Sequence, residues 1–267
     1  MSDAAIGVFD SGVGGLSVLQ AVRAQLGTES LVYVADSQHM PYGERDAAYI
    51  TKRCIAIARF LQQRPVKALV VACNTASVVT IETLREQLNI PVIGMEPAIK
   101  PAVSVTRSGV IGVMATSRTV HSPGVKKLCD LYGQNVEIML TPCAGLVERI
   151  ECAELNTSST RALLRSYVTP MLAAGADTIV LGCTHYPFVR DAIQDIVGNA
   201  VTIIEPGAAV ARQLARRLDE LDLHRSTAAP DESGGETFFS TGEIGDVASV
   251  ISSLWGSPVS VRYLEDV

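Results

Sequence analysis

Two short stretches of this 267-residue chain repeat one pattern: Val70-Val71-Ala72-Cys73-Asn74-Thr75 and Val180-Leu181-Gly182-Cys183-Thr184-His185. Each reads as an apolar strand, a small residue, a cysteine, and then polar residues suited to opening a helix. A thiol at a helix N-terminus has its thiolate favoured by backbone N–H groups and the helix dipole, so both cysteines can be tuned toward the reactive form. The plain alternative is a core cysteine at a strand end. The polar continuations argue against it, because a core cysteine needs none. His185 has three open roles: a structural histidine, a metal ligand, or a partner that polarises or reprotonates the neighbouring thiol. Cys73, Cys183, His185 and Asp10 are chemically fit for tetrahedral zinc, but no two have the short paired spacing usual there.

A third candidate is Asp10-Ser11-Gly12-Val13-Gly14-Gly15, a glycine-rich turn able to bring backbone N–H groups against a carboxylate or phosphate. A dinucleotide fingerprint is its nearest competitor, with Asp36 placed as the ribose-binding acid. Ser17 stands where the third glycine belongs, and Asp10 sets a negative charge where a pyrophosphate would approach, so that reading is disfavoured. Pro41-Tyr42-Gly43 reads as a turn that can also wall the same cleft. Glu148, Arg149 and Glu151 lie on one helix and are solvated by default. Of the remaining histidines, His39 follows a strand, His121 lies at a helix start and His224 on a surface tail.

These side chains need a frame. Strand-length apolar segments, Ile6 to Phe9, Leu31 to Ala35, Ala68 to Ala72, Val92-Ile93, Val110 to Met114, Val136 to Leu140, Thr178 to Leu181 and Val201 to Ile204, alternate with helical periods such as Leu16, Leu19, Val22, Leu26 and Ile55, Ala58, Leu61. Continuously apolar strands are covered on both faces, which predicts an α/β fold with parallel sheets. Three landmarks recur in one order. Asp10 lies 63 residues before Cys73 and Thr116 lies 67 before Cys183; Glu96-Pro97 follows the first cysteine by 23 residues and Glu205-Pro206 the second by 22. The reading is two pseudo-symmetric parallel-sheet α/β domains related by a pseudo-two-fold axis: residues 1–96 plus 207–267, and 97–206. Pro97 and Pro206 are placed in the first turns of helices where the chain changes domain. The tail contributes a helix from Val210 to Leu221, a polar loop from Ser226 to Glu236, and strands at Phe238-Phe239 and Val259 to Tyr263. In open parallel sheets the site lies at the carboxyl ends of the strands. Asp10, Cys73, Thr116 and Cys183 are placed there, so the two thiols are expected to face one cleft between the domains.

Composition narrows the function. The chain is 48% hydrophobic and 19% charged, with 22 basic and 28 acidic residues and a net charge of −6. No basic stripe is present to neutralise phosphates, so nucleic acid is not expected as a primary partner. No apolar run approaches the roughly 18 to 20 residues that span a bilayer, and no signal peptide precedes the first strand, so no membrane partner and a cytoplasmic location are expected. The six cysteines are then free thiols.

Asp10-Ser-Gly-Val-Gly-Gly, Pro41-Tyr-Gly, Cys73-Asn-Thr-Ala and Gly182-Cys-Thr-His-Tyr-Pro187, in this order and spacing, resemble the bacterial glutamate racemases of the aspartate/glutamate racemase superfamily. The resemblance runs from about Ile6 to Ala211. It implies interconversion of L- and D-glutamate without a cofactor, to supply D-glutamate for peptidoglycan. It further implies that Cys73 and Cys183 are the acid/base pair, that Asp10 and His185 assist them, and that Glu151 orients His185. Ser11, Pro41, Tyr42, Gly43, Asn74, Thr75, Thr116, Thr119 and Thr184 match positions that hold substrate. Ala144 stands where the family has proline, and Val113 where threonine is common. Related enzymes of some bacteria are activated by UDP-N-acetylmuramoyl-L-alanine, which makes that nucleotide a candidate partner; a homodimer is a further candidate, the oligomeric state not being fixed by the sequence.

Racemisation requires a proton to leave one face of Cα and another to arrive on the opposite face, which two thiols supply. None of the five lysines, Lys52, Lys67, Lys100, Lys126 and Lys127, sits at a cleft-facing strand end for a pyridoxal Schiff base. Rivals to this reading are an aspartate or broad-specificity racemase, a zinc or redox thiol protein, and a two-lobed amino-acid-binding module.

Overall fold

The computed structural model describes residues 3–225 and 234–265. Most of the polar loop expected between Ser226 and Glu236 lies outside the described residues. Contacts divide the chain into two compact units, Met1–Met95 with Gly207–Val267, and Glu96–Pro206.

The first unit contains β1 (Ala5–Asp10), α1 (Leu16–Gln25), β2 (Leu31–Ala35), α2 (Ala47–Gln62), β3 (Val66–Val71), α3 (Asn74–Gln87) and β4 (Val92–Ile93). The second contains α4 (Ile99–Val105), β5 (Val110–Ala115), α5 (Ser117–Val120), α6 (Pro123–Tyr132), β6 (Glu137–Pro142), α7 (Leu146–Glu151), α8 (Ser158–Ala173), β7 (Thr178–Leu181), α9 (Arg190–Val197) and β8 (Thr202–Ile204). The chain then returns to the first unit with α10 (Gly207–Glu220), β9 (Glu236–Ser240), α11 (Ile244–Trp255) and β10 (Val261–Tyr263).

All strand pairs among the described residues are parallel. The sheet of the first unit runs β10-β9-β2-β1-β3-β4, and that of the second β6-β5-β7-β8. Their common part is one arrangement used twice: β2-β1-β3-β4 and β6-β5-β7-β8 carry the same chain order. The central strands are buried almost throughout, because helices cover both faces of each sheet. In the second unit Met114, Ile179 and Leu181 pack with residues of α7, α8 and α9, while Ile111, Val113 and Val180 pack with those of α4 and α6. The edge strand β6 is only partly buried, having one neighbour.

Several boundaries differ from the sequence reading. β6 runs two residues further, through Pro142, and α10 begins at Gly207 rather than Val210. Neither Pro97 nor Pro206 lies in the first turn of a helix: α4 starts at Ile99 after its cap Ala98, and Pro206 directly precedes α10. The buried stripe of α2 is Ile50, Cys54, Ile57, Ala58 and Leu61, with Arg53 inside it, while Ile55 is half-buried. Helix α11, which buries Ile251 and Leu254, was not anticipated, because its serines and Gly245 blur the apolar period. No helix among the described residues is long and apolar enough to cross a membrane.

Candidate active site

In the first unit the carboxyl ends of β1 and β3 bring Asp10, Ser11 and Cys73 together. Asp10 is the last residue of β1, and its carboxylate is fully buried. Oδ1 accepts hydrogen bonds from Ser11 N–H at 2.6 Å and the Ser11 hydroxyl at 3.2 Å; Oδ2 accepts from Gly15 N–H at 2.5 Å. The glycine-rich turn thus folds its N–H groups around its own aspartate. Gly15 has no alternative here, because a Cβ would lie 2.7 Å from the Asp10 Cβ and 3.0 Å from the Tyr33 hydroxyl.

Cys73 is the N-cap of α3: its Sγ accepts from Ala76 N–H at 3.4 Å and lies 3.7 Å from the Ser11 hydroxyl, to which the thiol donates. Fourteen residues of helix thus direct their positive end at this sulfur, which favours the thiolate. Asn74 and Thr75 form the buried first turn of α3. Both polar atoms of the Asn74 amide are buried without a hydrogen-bond partner, at a cost of about 1 to 3 kcal/mol each unless a ligand supplies one.

Pro41, Tyr42 and Gly43 follow β2, with Pro41 capping a 3-10 turn from Tyr42 to Glu44. The Tyr42 side chain is buried and its hydroxyl donates to Asp36 at 2.5 Å. Burial, with Cys54 and Asp36 nearby, holds that phenol well above its ordinary value, so it stays a donor. The turn therefore has its main chain and the Pro41 ring left to meet a ligand. Asp36 itself is enclosed by Arg53, Tyr42 and Thr241 and has no capacity for a ribose, which removes the anchor of the dinucleotide reading.

In the second unit the carboxyl end of β7 carries Cys183, Thr184 and His185, all buried. His185 Nδ1 lies 3.7 Å from Cys183 Sγ, and Nε2 lies 2.6 Å from Glu151 Oε1, on α7. Glu151, whose side chain is 8% exposed, is thus not the solvated acid of its default reading. Burial opposes a charge on His185, but the hydrogen bonds to Cys183 and Glu151 outweigh it and raise the ring well above its ordinary value. With both ring nitrogens facing acceptors, the imidazolium is the fitting form.

Cys183 does not cap an α-helix, contrary to the sequence reading. A turn and a 3-10 segment from Tyr186 to Val189 follow it, and α9 starts only at Arg190. The reason is Pro187. The first α-helical bond at Cys73 is Ser77 N–H to the Cys73 carbonyl, 2.9 Å. Its counterpart would come from residue 187, which has no N–H. The Cys183 carbonyl instead takes the tighter bond from Tyr186 N–H at 3.1 Å.

Thr116 follows β5 and caps α5; its hydroxyl donates to that of Thr119 at 3.0 Å. Cys143, at the end of β6, is a further buried thiol that the sequence reading did not single out. Burial and the neighbouring Cys183 push it up to about 12, so it stays protonated. Cys54, likewise pushed up to about 12 by burial, lies among apolar side chains of α2 and α3. Among the described residues no group of three or more His, Cys, Asp and Glu side chains is placed to hold a metal ion.

The family model for Asp/Glu/hydantoin racemases matches residues 6–214. A glutamate racemase of Stutzerimonas stutzeri (strain A1501) is 48% identical over 266 residues, covering 98% of this chain and 99% of its own. The crystal structure of a glutamate racemase isoform from Bacillus anthracis superposes with a TM-score of 0.89 at 33% identity, over 99% of this chain and 98% of that one. Escherichia coli glutamate racemase, solved with L-glutamate and the activator UDP-MurNAc-Ala, gives a TM-score of 0.82 at 31% identity, over 98% of each chain. With this likeness extending over nearly the whole chain, the protein belongs to the Asp/Glu/hydantoin racemase family, a family of isomerases.

Proposed function

We propose that the chain racemises glutamate without a cofactor, by passing the Cα proton between Cys73 and Cys183, which act on opposite faces of one substrate. One sulfur, as thiolate, takes the proton; the electron pair of the broken C–H bond moves into the α-carboxylate, giving a planar intermediate. The other sulfur, as thiol, gives its proton to the opposite face and is left as thiolate. The reverse direction exchanges the roles.

The observation that carries the reading is that each unit, built on the same strand order, has a buried thiol beyond the same strand, each with its own proton-handling surroundings. On one side these are the α3 N-terminus, Ser11 and Asp10; on the other, His185 and Glu151. A bare carbanion beside a carboxylate is costly, so donors must be fixed in advance around the substrate's carboxylates. The unpartnered Asn74 amide, Thr75, Thr184, the Thr116–Thr119 pair and the main chain of residues 41–43 are of the required type. The names of the relatives favour glutamate as substrate, and D-glutamate for peptidoglycan as the product's use.

The test is the circular dichroism of L-glutamate incubated with enzyme treated with chelator and dialysed. The signal decays to zero, and in D2O the product carries deuterium at Cα; an unchanged signal from folded protein overturns the proposal. Aspartate measured alongside decides specificity, since faster turnover of aspartate moves the reading to an aspartate racemase.

UDP-N-acetylmuramoyl-L-alanine, the class of activator in the Escherichia coli structure, raises the rate on this reading. A groove beside β4, lined by residues 90–94, presents the guanidinium groups of Arg85, Arg216 and Arg217, three positive charges against the two carboxylates of Glu82 and Glu220 that pair with them, for its diphosphate. Initial rates with and without the nucleotide, in wild type and Arg85→Ala, check this. The active assembly is a homodimer, which light scattering checks.

A further inference from the structure

We infer that Asp36, Arg53 and Thr241 are positioning residues of the reaction: they form a buried clamp on the Tyr42 hydroxyl that fixes the main chain of residues 41–43 against the substrate. This rests on the reading of that turn as a substrate contact.

Asp36 directly follows β2 and is fully buried. Its Oδ1 accepts from Arg53 Nη2 at 2.7 Å and the Thr241 hydroxyl at 3.0 Å; its Oδ2 accepts from Arg53 Nε at 3.0 Å and the Tyr42 hydroxyl at 2.5 Å. The donors come from three separate pieces of chain: α2, the turn after β2, and the residue after β9. Thr241 works twice, since its hydroxyl also accepts from Gln38 N–H at 3.2 Å. The turn is closed locally by Glu44 N–H to the Pro41 carbonyl at 3.3 Å and Arg45 N–H to the Tyr42 carbonyl at 3.2 Å.

A buried ion pair is a poor source of stability, because removing two charges from water cancels much of their attraction. Apolar residues of similar volume would hold α2 to the sheet as well. What they would not do is hold one phenol oxygen at one point. The clamp also gives β9, in the returning C-terminal segment, a part in the site through Thr241, although the strand lies two places from β1 in the sheet.

The experiment measures glutamate racemisation by Tyr42→Phe, Thr241→Val, their double variant and Arg53→Met, with thermal midpoints recorded for each. Tyr42→Phe and Thr241→Val keep the packed volume, so they report even if Arg53→Met fails to fold. Misplacing the turn raises KM about tenfold or more while kcat changes less, because the thiols are untouched. Both substitutions act through Asp36, so the double variant falls short of the product of the single effects by about threefold or more. A residue that only stabilised the fold would lower the thermal midpoint and leave KM of the folded enzyme in place. Wild-type KM in folded Tyr42→Phe and Thr241→Val overturns the clamp alone, as do effects that simply multiply. A wild type that does not racemise glutamate overturns the functional reading and the clamp with it.

Discussion

Replacing Glu151 by glutamine separates charge from shape on the Cys183 side of the site. The carboxylate oxygen lies 2.6 Å from His185 Nε2, and the opposite ring nitrogen lies 3.7 Å from the sulfur. Glutamine keeps an oxygen acceptor at nearly the same place but removes the charge. A hydrogen bond to a charged group contributes about 1.5 to 3 kcal/mol, and one between neutral groups about 0.5 to 1.5. The difference, about 1 to 2 kcal/mol, is the amount by which His185 becomes a weaker support for the Cys183 thiolate. At 1.36 kcal/mol per decade this predicts a fall of about 5- to 30-fold in kcat/KM.

The direction of the effect gives a sharper test than its size. L- and D-glutamate have equal free energies in water, so kcat/KM must fall by the same factor from both sides. The asymmetry belongs in the isotope effects. For the enantiomer whose Cα proton goes to Cys183, slowing that transfer raises the effect of Cα deuteration; for the other enantiomer the effect falls. The pH profile moves as well. Without the carboxylate the raised imidazolium loses its proton at lower pH, so the alkaline limb of Glu151→Gln shifts down. His185 has a folded pKa above its unfolded value of 6.5, so its contribution to stability is complete below that pH and is lost as pH rises through the folded value. The stability gap between wild type and variant therefore narrows on the alkaline side. Wild-type kcat/KM in the variant, or isotope effects that move together for both enantiomers, would refute the assignment of Glu151 and His185 to Cys183.

Cys73→Ser and Cys183→Ser each lower racemisation by about 10²- to 10⁴-fold, because a hydroxyl is a far weaker acid than a thiol; each keeps exchange or elimination on one enantiomer, read by NMR in D2O. Gly15→Ala forces its Cβ to within 2.7 Å of the Asp10 Cβ, so a loss of about 1 to 3 kcal/mol is expected in denaturant unfolding, with activity lost as Asp10 shifts. Desolvation raises the carboxyl of Asp177, in the second unit, but hydrogen bonds from the Thr106 and Thr178 hydroxyls and the N–H groups of Arg107 and Ser108 together outweigh it and hold the group well below the usual range. That contribution is present above about pH 3.9 and is lost as pH falls toward the depressed value, so melting curves of Asp177→Asn show a flatter acid limb than wild type.

The strands were legible because parallel strands covered on both faces carry apolar runs, as β1, β3, β5 and β7 do apart from Asp10, Lys67 and Thr178 at or near their ends. The repeat was legible because the same chemistry recurs beyond the third strand of each unit. What escaped the sequence were contacts made across the sheet. Asp36 was visible as an acid at a strand end, but its partners are 6, 17 and 205 residues away and no local pattern joins them. Arg53 did leave a trace, as a charge set inside the buried stripe of α2 between Ile50 and Ile57, on the core-facing side where a cation needs a partner. Glu151 and Glu148 could not be told apart by helix phase, because the His185 that selects one of them comes from a different strand end.

The likeness of the two cysteine motifs also concealed a difference that bears on the chemistry. Ala76 and Ser77 supply the N–H groups that close the first turn of α3 around Cys73, so that sulfur has a helix to favour its negative charge. Pro187 withholds the N–H that would do the same for Cys183, and the negative charge there depends on an imidazolium held by Glu151. A helix end is a fixed partial charge that does not titrate, whereas His185 carries a proton that can leave. On the proposed mechanism the two half-reactions therefore respond differently to the loss of the His185 proton: the step at Cys183 depends on that imidazolium, and the step at Cys73 does not touch it. A racemase whose equilibrium constant is unity can still be asymmetric in this way, and the asymmetry follows from one proline four residues beyond a cysteine.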